Sequence, residues 1–139
     1  RPGGPIYQWV DIAATGTEVW PGEYKDDSYA GPFSIGFGFP FYGITQTNLY
    51  VSSNGYASFS ASGSIPSSNL PDTGTPNNDI MPFGGDMYHT GGTSHIYYQQ
   101  LSNPARFVIQ FNNLDNYGYR GHFATFQIIL YPDGVILTQ

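Results

Sequence analysis

The run "PFSIGFGFPFYG" limits the fold more than any other stretch of the chain. Phe33, Ile35, Phe37, Phe39 and Phe41 recur at a strict period of two, with Ser34, Gly36, Gly38 and Pro40 between them. A period of two puts all five on one face of an extended strand, whereas a helix would scatter them around its axis. The other face carries almost no side chains, so a backbone or a ring from elsewhere can lie close against it. Pro40 lacks a ladder donor and belongs at an edge or a strand end.

The same alternation returns along the chain. "ARFVIQFNNL" turns Phe107, Ile109 and Phe111 inward, and "FATFQIILY" offers Ala124, Phe126, Ile128 and Leu130 on one face. "IYQWVDIA" (6–13) alternates too and predicts the first strand. Asn54-Gly55 inside "TNLYVSSNGYASFS" and Asp133-Gly134 before "VILTQ" are hairpin signals, because these residues tolerate positive φ. At Asn54-Gly55 a two-residue turn sets Tyr50 opposite Phe59 and Val51 opposite Ser58. A bulge near Asn54 sets Val51 beside Phe59 instead, and both registers stay open.

"TGTEVWPGEYKDDSYAG" is expected to be a polar excursion, with turns at Trp20-Pro21-Gly22 and Lys25-Asp26-Asp27. "SGSIPSSNLPDTGTPNND" is expected to be a long loop pinned by Ile65 and Leu70. No long window shows a 3.6-residue period. The expected fold is therefore all-β, an antiparallel β-sandwich of jelly-roll or Ig-like type, with about seven to nine strands and little or no helix. "RPGGP" (1–5) reads as a linker and 6–139 as a single sandwich domain. The last strand runs directly into Gln139, so a fragment of a larger secreted protein is expected.

Charge narrows the partners. Only 10% of the 139 residues are charged, the net charge is −6, and the fixed cations are Arg1, Lys25, Arg106 and Arg120. Four scattered cations cannot track a phosphate backbone or an anionic bilayer, so neither nucleic acid nor a membrane surface is expected. No apolar run is long enough to predict membrane insertion. The absence of cysteine excludes disulfides, thiolate metal sites and cysteine nucleophiles. Low charge with abundant tyrosine, serine, threonine and asparagine leans toward an extracellular or cell-surface setting.

Catalytic chemistry finds little purchase. No G-x-S-x-G elbow is present, and His89, His95 and His122 read as strand-end or loop histidines, so no catalytic residue is assigned. His89 and His95, on either side of "TGGTS", could form half of a zinc site with Asp86 or His122 as a third ligand. Calcium prefers six to eight oxygens, often several carboxylates in an irregular loop. Glu23, Asp26 and Asp27 in "EYKDDS", with Asp86 from a neighbouring strand, are the candidate ligands for a structural calcium. Tyrosine rings stack on sugar faces while their hydroxyls make hydrogen bonds. Tyr117 and Tyr119 in the glycine-rich "NLDNYGYRGHF", with Arg120 and His122, are the candidate ligand contacts, joined by Tyr88 and His89 at a second tip nearby.

The motif order adds a resemblance. "WVDIAATGTEV", "DDSYAGPFSIGFGFPFYG", "NLYVSSNGYASF", "IPSSNLPDTGTPNNDIMPF", "HIYYQQL", "RFVIQFNNL" and "TFQIILYPDGVILTQ" follow one another as in a β-sandwich accessory module of secreted bacterial proteins. That module often sits next to subtilisin-like peptidases or in adhesin-like surface proteins, and it is similar to the extracellular nidogen-type domain. The resemblance runs from about Trp9 to Gln139. Relatives commonly carry a tryptophan and paired acids after the "PF" of "IMPF". Here Phe83 is followed by Gly84-Gly85-Asp86, and only Asp86 matches. The resemblance implies a non-catalytic extracellular accessory module that binds or spaces, and the tyrosine loop adds a glycan or an extracellular protein surface as the expected partner. The alternative is a structural subunit of a surface filament or adhesin, assembled with neighbouring domains or subunits by strand addition.

Overall fold

A computed structural model describes residues 6–66, 73–74 and 77–139. The linker assigned to 1–5 and Leu70 as a pin lie outside the described residues. The chain is all-β, with eleven strands in two antiparallel sheets. The strands are β1 (Thr17–Val19), β2 (Tyr24–Asp26), β3 (Tyr29–Phe41), β4 (Ile44–Ser52), β5 (Tyr56–Ser58), β6 (Asp79–Ile80), β7 (Met87–Thr90), β8 (His95–Ser102), β9 (Ala105–Asn116), β10 (Phe123–Leu130) and β11 (Ile136–Thr138). The larger sheet runs β1-β8-β9-β10-β11, with β7 also pairing the far end of β9 and β2 pairing β7. The smaller sheet is β3-β4-β5-β6.

The alternating rings close the two sheets over one core. Ile35 and Phe39 from β3 meet Phe107 and Phe111 from β9 and Ile128 from β10, all fully buried. Phe33, Phe37 and Phe41 pack against the rim of this core. Phe111 stacks on Phe126, 4.6 Å between centroids, and Phe33 stacks on Tyr98 at 4.2 Å. Such offset pairs add to the burial of the rings themselves.

Four expectations are corrected. The strand predicted over 6–13 makes no ladder. Residues 8, 10 and 12 instead lie across the outer face of the larger sheet and bond to glutamine side chains. Gln139 receives the Gln8 N–H (3.2 Å), Gln127 the Val10 N–H (3.2 Å) and Gln110 the Ile12 N–H (2.9 Å). Beneath this strap Ile12 and Val10 pack on Val108 and Ile129, a second and smaller apolar cluster.

The polar excursion contains two strands, and Lys25 and Asp26 belong to β2 rather than to a turn. Their partners explain it: β1 pairs β8 and β2 pairs β7, contacts distant in sequence. Ile65 is 46% exposed and pins nothing. At Asn54-Gly55 neither expected register holds: Tyr50 pairs Ser58, Val51 pairs Ala57 and Ser52 pairs Tyr56, leaving a three-residue turn of Ser53, Asn54 and Gly55. Gly55 takes φ 79°, and a Cβ there would come within 3.1 Å of the Phe126 ring. Asn54 is held elsewhere: its Nδ2 donates to Asp27 Oδ1 and to the Gly63 carbonyl, and its Oδ1 accepts the Met87 N–H. These contacts pull the turn inward and bury Asn54 completely.

The edge strand β3 has thirteen residues and no charge, a form prone to pairing with another chain. It is blunted. Its register with β4 slips between Ser34 and Phe39, Pro32 and Pro40 interrupt it, and Gln100 Nε2 caps the Ser34 carbonyl at 2.7 Å.

Candidate functional site

The β9–β10 loop is built around one carboxylate. Asp115, 4% exposed near the end of β9, accepts the N–H groups of Asn116 (2.9 Å), Gly121 (2.8 Å) and His122 (3.1 Å) on Oδ1. Its Oδ2 accepts the Tyr88 hydroxyl at 2.8 Å. Burial works against the charge, but these four donors outweigh it and hold the Asp115 carboxyl below the usual range. The bond to Asp115 and burial push the Tyr88 phenol up. Gly121 sits at φ 86°, where a side chain would strain the turn that aims its N–H at Asp115. Asn116 Oδ1 takes the Tyr119 N–H at 2.8 Å, and the Asp86 carbonyl takes that of Tyr117 at 2.9 Å. The loop is short of ladder bonds, yet its backbone is held at five points.

Held this way, the loop forms one wall of a surface groove of about 570 Å³. Phe83, Met87, Asn116, Tyr119, His122 and Phe123 line it. Tyr119 is 75% exposed, Phe123 53% and Phe83 44%, so three rings face solvent at one place. Phe83 is propped against Phe126 at 4.7 Å. The volume falls within the range of small-ligand sites, roughly 300–1,000 Å³.

The candidate contact residues divide in two. Tyr119 and His122 line the groove. Arg120 is turned away, its guanidinium 5.3 Å from the Tyr117 ring centre and 5.6 Å from that of Tyr88. Tyr117 packs edge-on against Tyr88 at 5.7 Å. Tyr88 and His89 do not form a second tip, because both are buried in β7. Strand β7 pairs with β2 on one side and with the end of β9 on the other, which encloses them. His89 Nδ1 meets the Glu23 carbonyl at 2.7 Å, and its Nε2 is buried without a partner among the described residues. Burial pushes the His89 imidazole down.

The acidic expectation is sorted as well. Asp26, Asp27 and Asp86 place ligand oxygens within 4.8 Å of one another. Glu23 stands outside this group and pairs with Lys25 at 2.8 Å. Burial, reinforced by the neighbouring Asp27, raises the carboxyls of both Asp26 and Asp86. Asp27 is fixed by Asn54, so the hairpin turn positions one of the three. Three carboxylates this close repel one another and suit a hard cation with oxygen preference. Among the described residues no histidine joins a group of three metal-binding side chains. His95 Nδ1 instead meets Glu18 Oε1 at 2.6 Å.

Asp115, Asn54, Phe83 and Phe123 escaped sequence reasoning as site residues, whereas Asn116 falls in the tyrosine loop the sequence singles out. Asp115 had one signal: an acid at the end of an apolar strand, directly before a glycine-rich loop whose N–H groups need acceptors.

Fold and site together define a two-sheet antiparallel β-sandwich whose loops build an aromatic groove. The chain belongs to the NIDO-related family, whose model matches residues 6–139. Membership in this nidogen-related family suggests an extracellular context, and its domains are generally non-enzymatic. No curated protein and no solved structure matches the chain.

Proposed function

We propose that this chain is a non-catalytic binding module of a secreted or cell-surface bacterial protein, holding a glycan or protein ligand in the groove beside the β9–β10 loop. The observation that carries the reading is the groove itself: three exposed rings, Tyr119 from the β9–β10 loop, Phe123 from the start of β10 and Phe83 from the β6–β7 segment, beside a loop backbone tied to the buried Asp115. A loop held this way loses little freedom on binding, which preserves affinity. Asp26, Asp27 and Asp86 would hold a structural calcium in this account. A cation there would steady Asp86, whose carbonyl bonds to the loop at Tyr117. The test is capture of extracellular matrix and glycan preparations by the chain, with Tyr119→Ala as control. Capture that this substitution leaves unchanged would move the site elsewhere.

The strand-addition reading rests on the long uncharged edge of β3. The slip, the prolines and the Gln100 cap oppose it, so we place it second. Light scattering at high concentration separates the two, since a filament subunit must self-associate.

A further inference from the structure

We infer that the groove takes an uncharged sugar chain, not an acidic glycan; this rests on the groove being the binding site proposed above. Its walls carry no carboxylate, ammonium or guanidinium group. Of the three ionisable side chains one residue from its lining, Asp86, Asp115 and Arg120, the last two are committed to other work. Asp115 is filled by four donors, and Arg120 lies over the Tyr88 and Tyr117 rings. An anionic ligand would therefore find no carboxylate, ammonium or guanidinium partner in the groove, whose one titratable lining group besides Tyr119 is the His122 imidazole. It would also meet the repulsion of a chain of net charge −6, with Asp86 one residue from the groove-lining Met87.

The polar groups that remain suit hydroxyls. The Tyr119 hydroxyl and the His122 imidazole have no partner among the described residues, and each can donate or accept. The rings of Tyr119, Phe123 and Phe83 line the same groove. This combination of apolar faces with a hydroxyl and an imidazole matches the two surfaces of a pyranose, its C–H face and its rim of hydroxyls.

In this arrangement Arg120 is a positioning residue. It braces the loop through Tyr117 and Tyr88 and makes no contact with the sugar.

The test is calorimetric titration of the chain with neutral hexose oligosaccharides and, in parallel, with oligogalacturonate, at low and high salt. The expected result is binding of a neutral series whose affinity changes less than about twofold with salt, since no ion pair is screened. Tyr119→Ala and Phe123→Ala should each weaken it about tenfold, the loss of one stacked ring. Tyr119→Phe keeps the ring and should stay within about threefold. Arg120→Ala should weaken binding while leaving its salt independence intact. Salt-sensitive binding of oligogalacturonate alone would overturn the inference and leave the groove in place. So would failure of every neutral sugar alongside a protein ligand lost on Tyr119→Ala. Sugar binding that survives both alanine substitutions would overturn the groove as well.

Discussion

The strap over residues 8–12 and the loop over residues 117–122 both lack ladder partners, yet they are held by opposite chemistry. Glutamines hold the strap: Gln127 bonds both the N–H and the carbonyl of Val10, and also Gln110 and Gln139, in a row of neutral amides across three strands. One buried carboxylate holds the loop. The amide row covers an apolar face and leaves little of it open. The carboxylate draws the loop's own backbone inward and turns its rings out. Neutral clamping seals a surface, whereas charged clamping builds one that can bind. The strap's one carboxylate, Asp11, is exposed and accepts from the Ala13 N–H and from Gln110, so the strap should respond to pH less than the loop.

The largest effect should come from Asp115→Ala. It strands three backbone N–H groups and the Tyr88 hydroxyl, and should cost about 3 kcal/mol in urea unfolding, with amide exchange accelerated at Gly121 and His122. Gln127→Ala breaks the centre of the amide row and should cost about 2 kcal/mol, with the strap opened to proteolysis while Gly121 stays protected. If both substitutions loosen both regions, the comparison fails.

Acidification sharpens the contrast. The Asp115 carboxyl titrates lower in the folded chain than in the unfolded one. Its contribution is therefore present above the unfolded value near 4 and lost as pH falls through the folded value. His89, pushed down by burial, likewise withdraws stability as pH drops below about 6.5. The raised carboxyls of Asp26, Asp86 and the half-buried Asp79 have the opposite sign, contributing at low pH and fading as it rises. Total stability thus mixes signs, but amide exchange reads the loop alone. Protection factors at Gly121 and His122 should fall on acidification, with a smaller change at Val10 and Ile12, where only the exposed Asp11 titrates.

Calcium should give the smallest effect. Added near pH 5, it should release protons from Asp26 and Asp86 and raise the melting temperature by a few degrees, a response that Asp86→Asn removes. A melting point indifferent to calcium would strike the cation from the account.

Much of the fold was legible because period-two aromatics leave few alternatives. Phe39, Phe107 and Phe111 are core residues on pattern alone. The strap was misread for the same reason, since 6–13 alternates like a strand. Alternation reports a buried face, but not whether the backbone bonds to a neighbouring strand or to side chains from residues a hundred positions away. The hairpin at Asn54-Gly55 was legible, but its register was missed because it follows from Asp27 and Met87, distant partners that a local turn rule cannot see. Within the site, Asp26, Asp27 and Asp86 were legible as a carboxylate group, and Tyr119 and His122 as exposed loop residues. Phe83 and Phe123 were not, because an isolated phenylalanine in sequence looks the same whether it fills a core or lines a groove.

The central claim is that the loop tied to Asp115 presents the ligand surface. Chemical-shift mapping of the labelled chain, titrated with neutral oligosaccharide, tests it directly. The account predicts perturbations clustered at Phe83, Asn116, Tyr119, His122 and Phe123, with the strap silent. Perturbations concentrated on Gln8, Val10 and the glutamine row, with the loop unmoved, would contradict it.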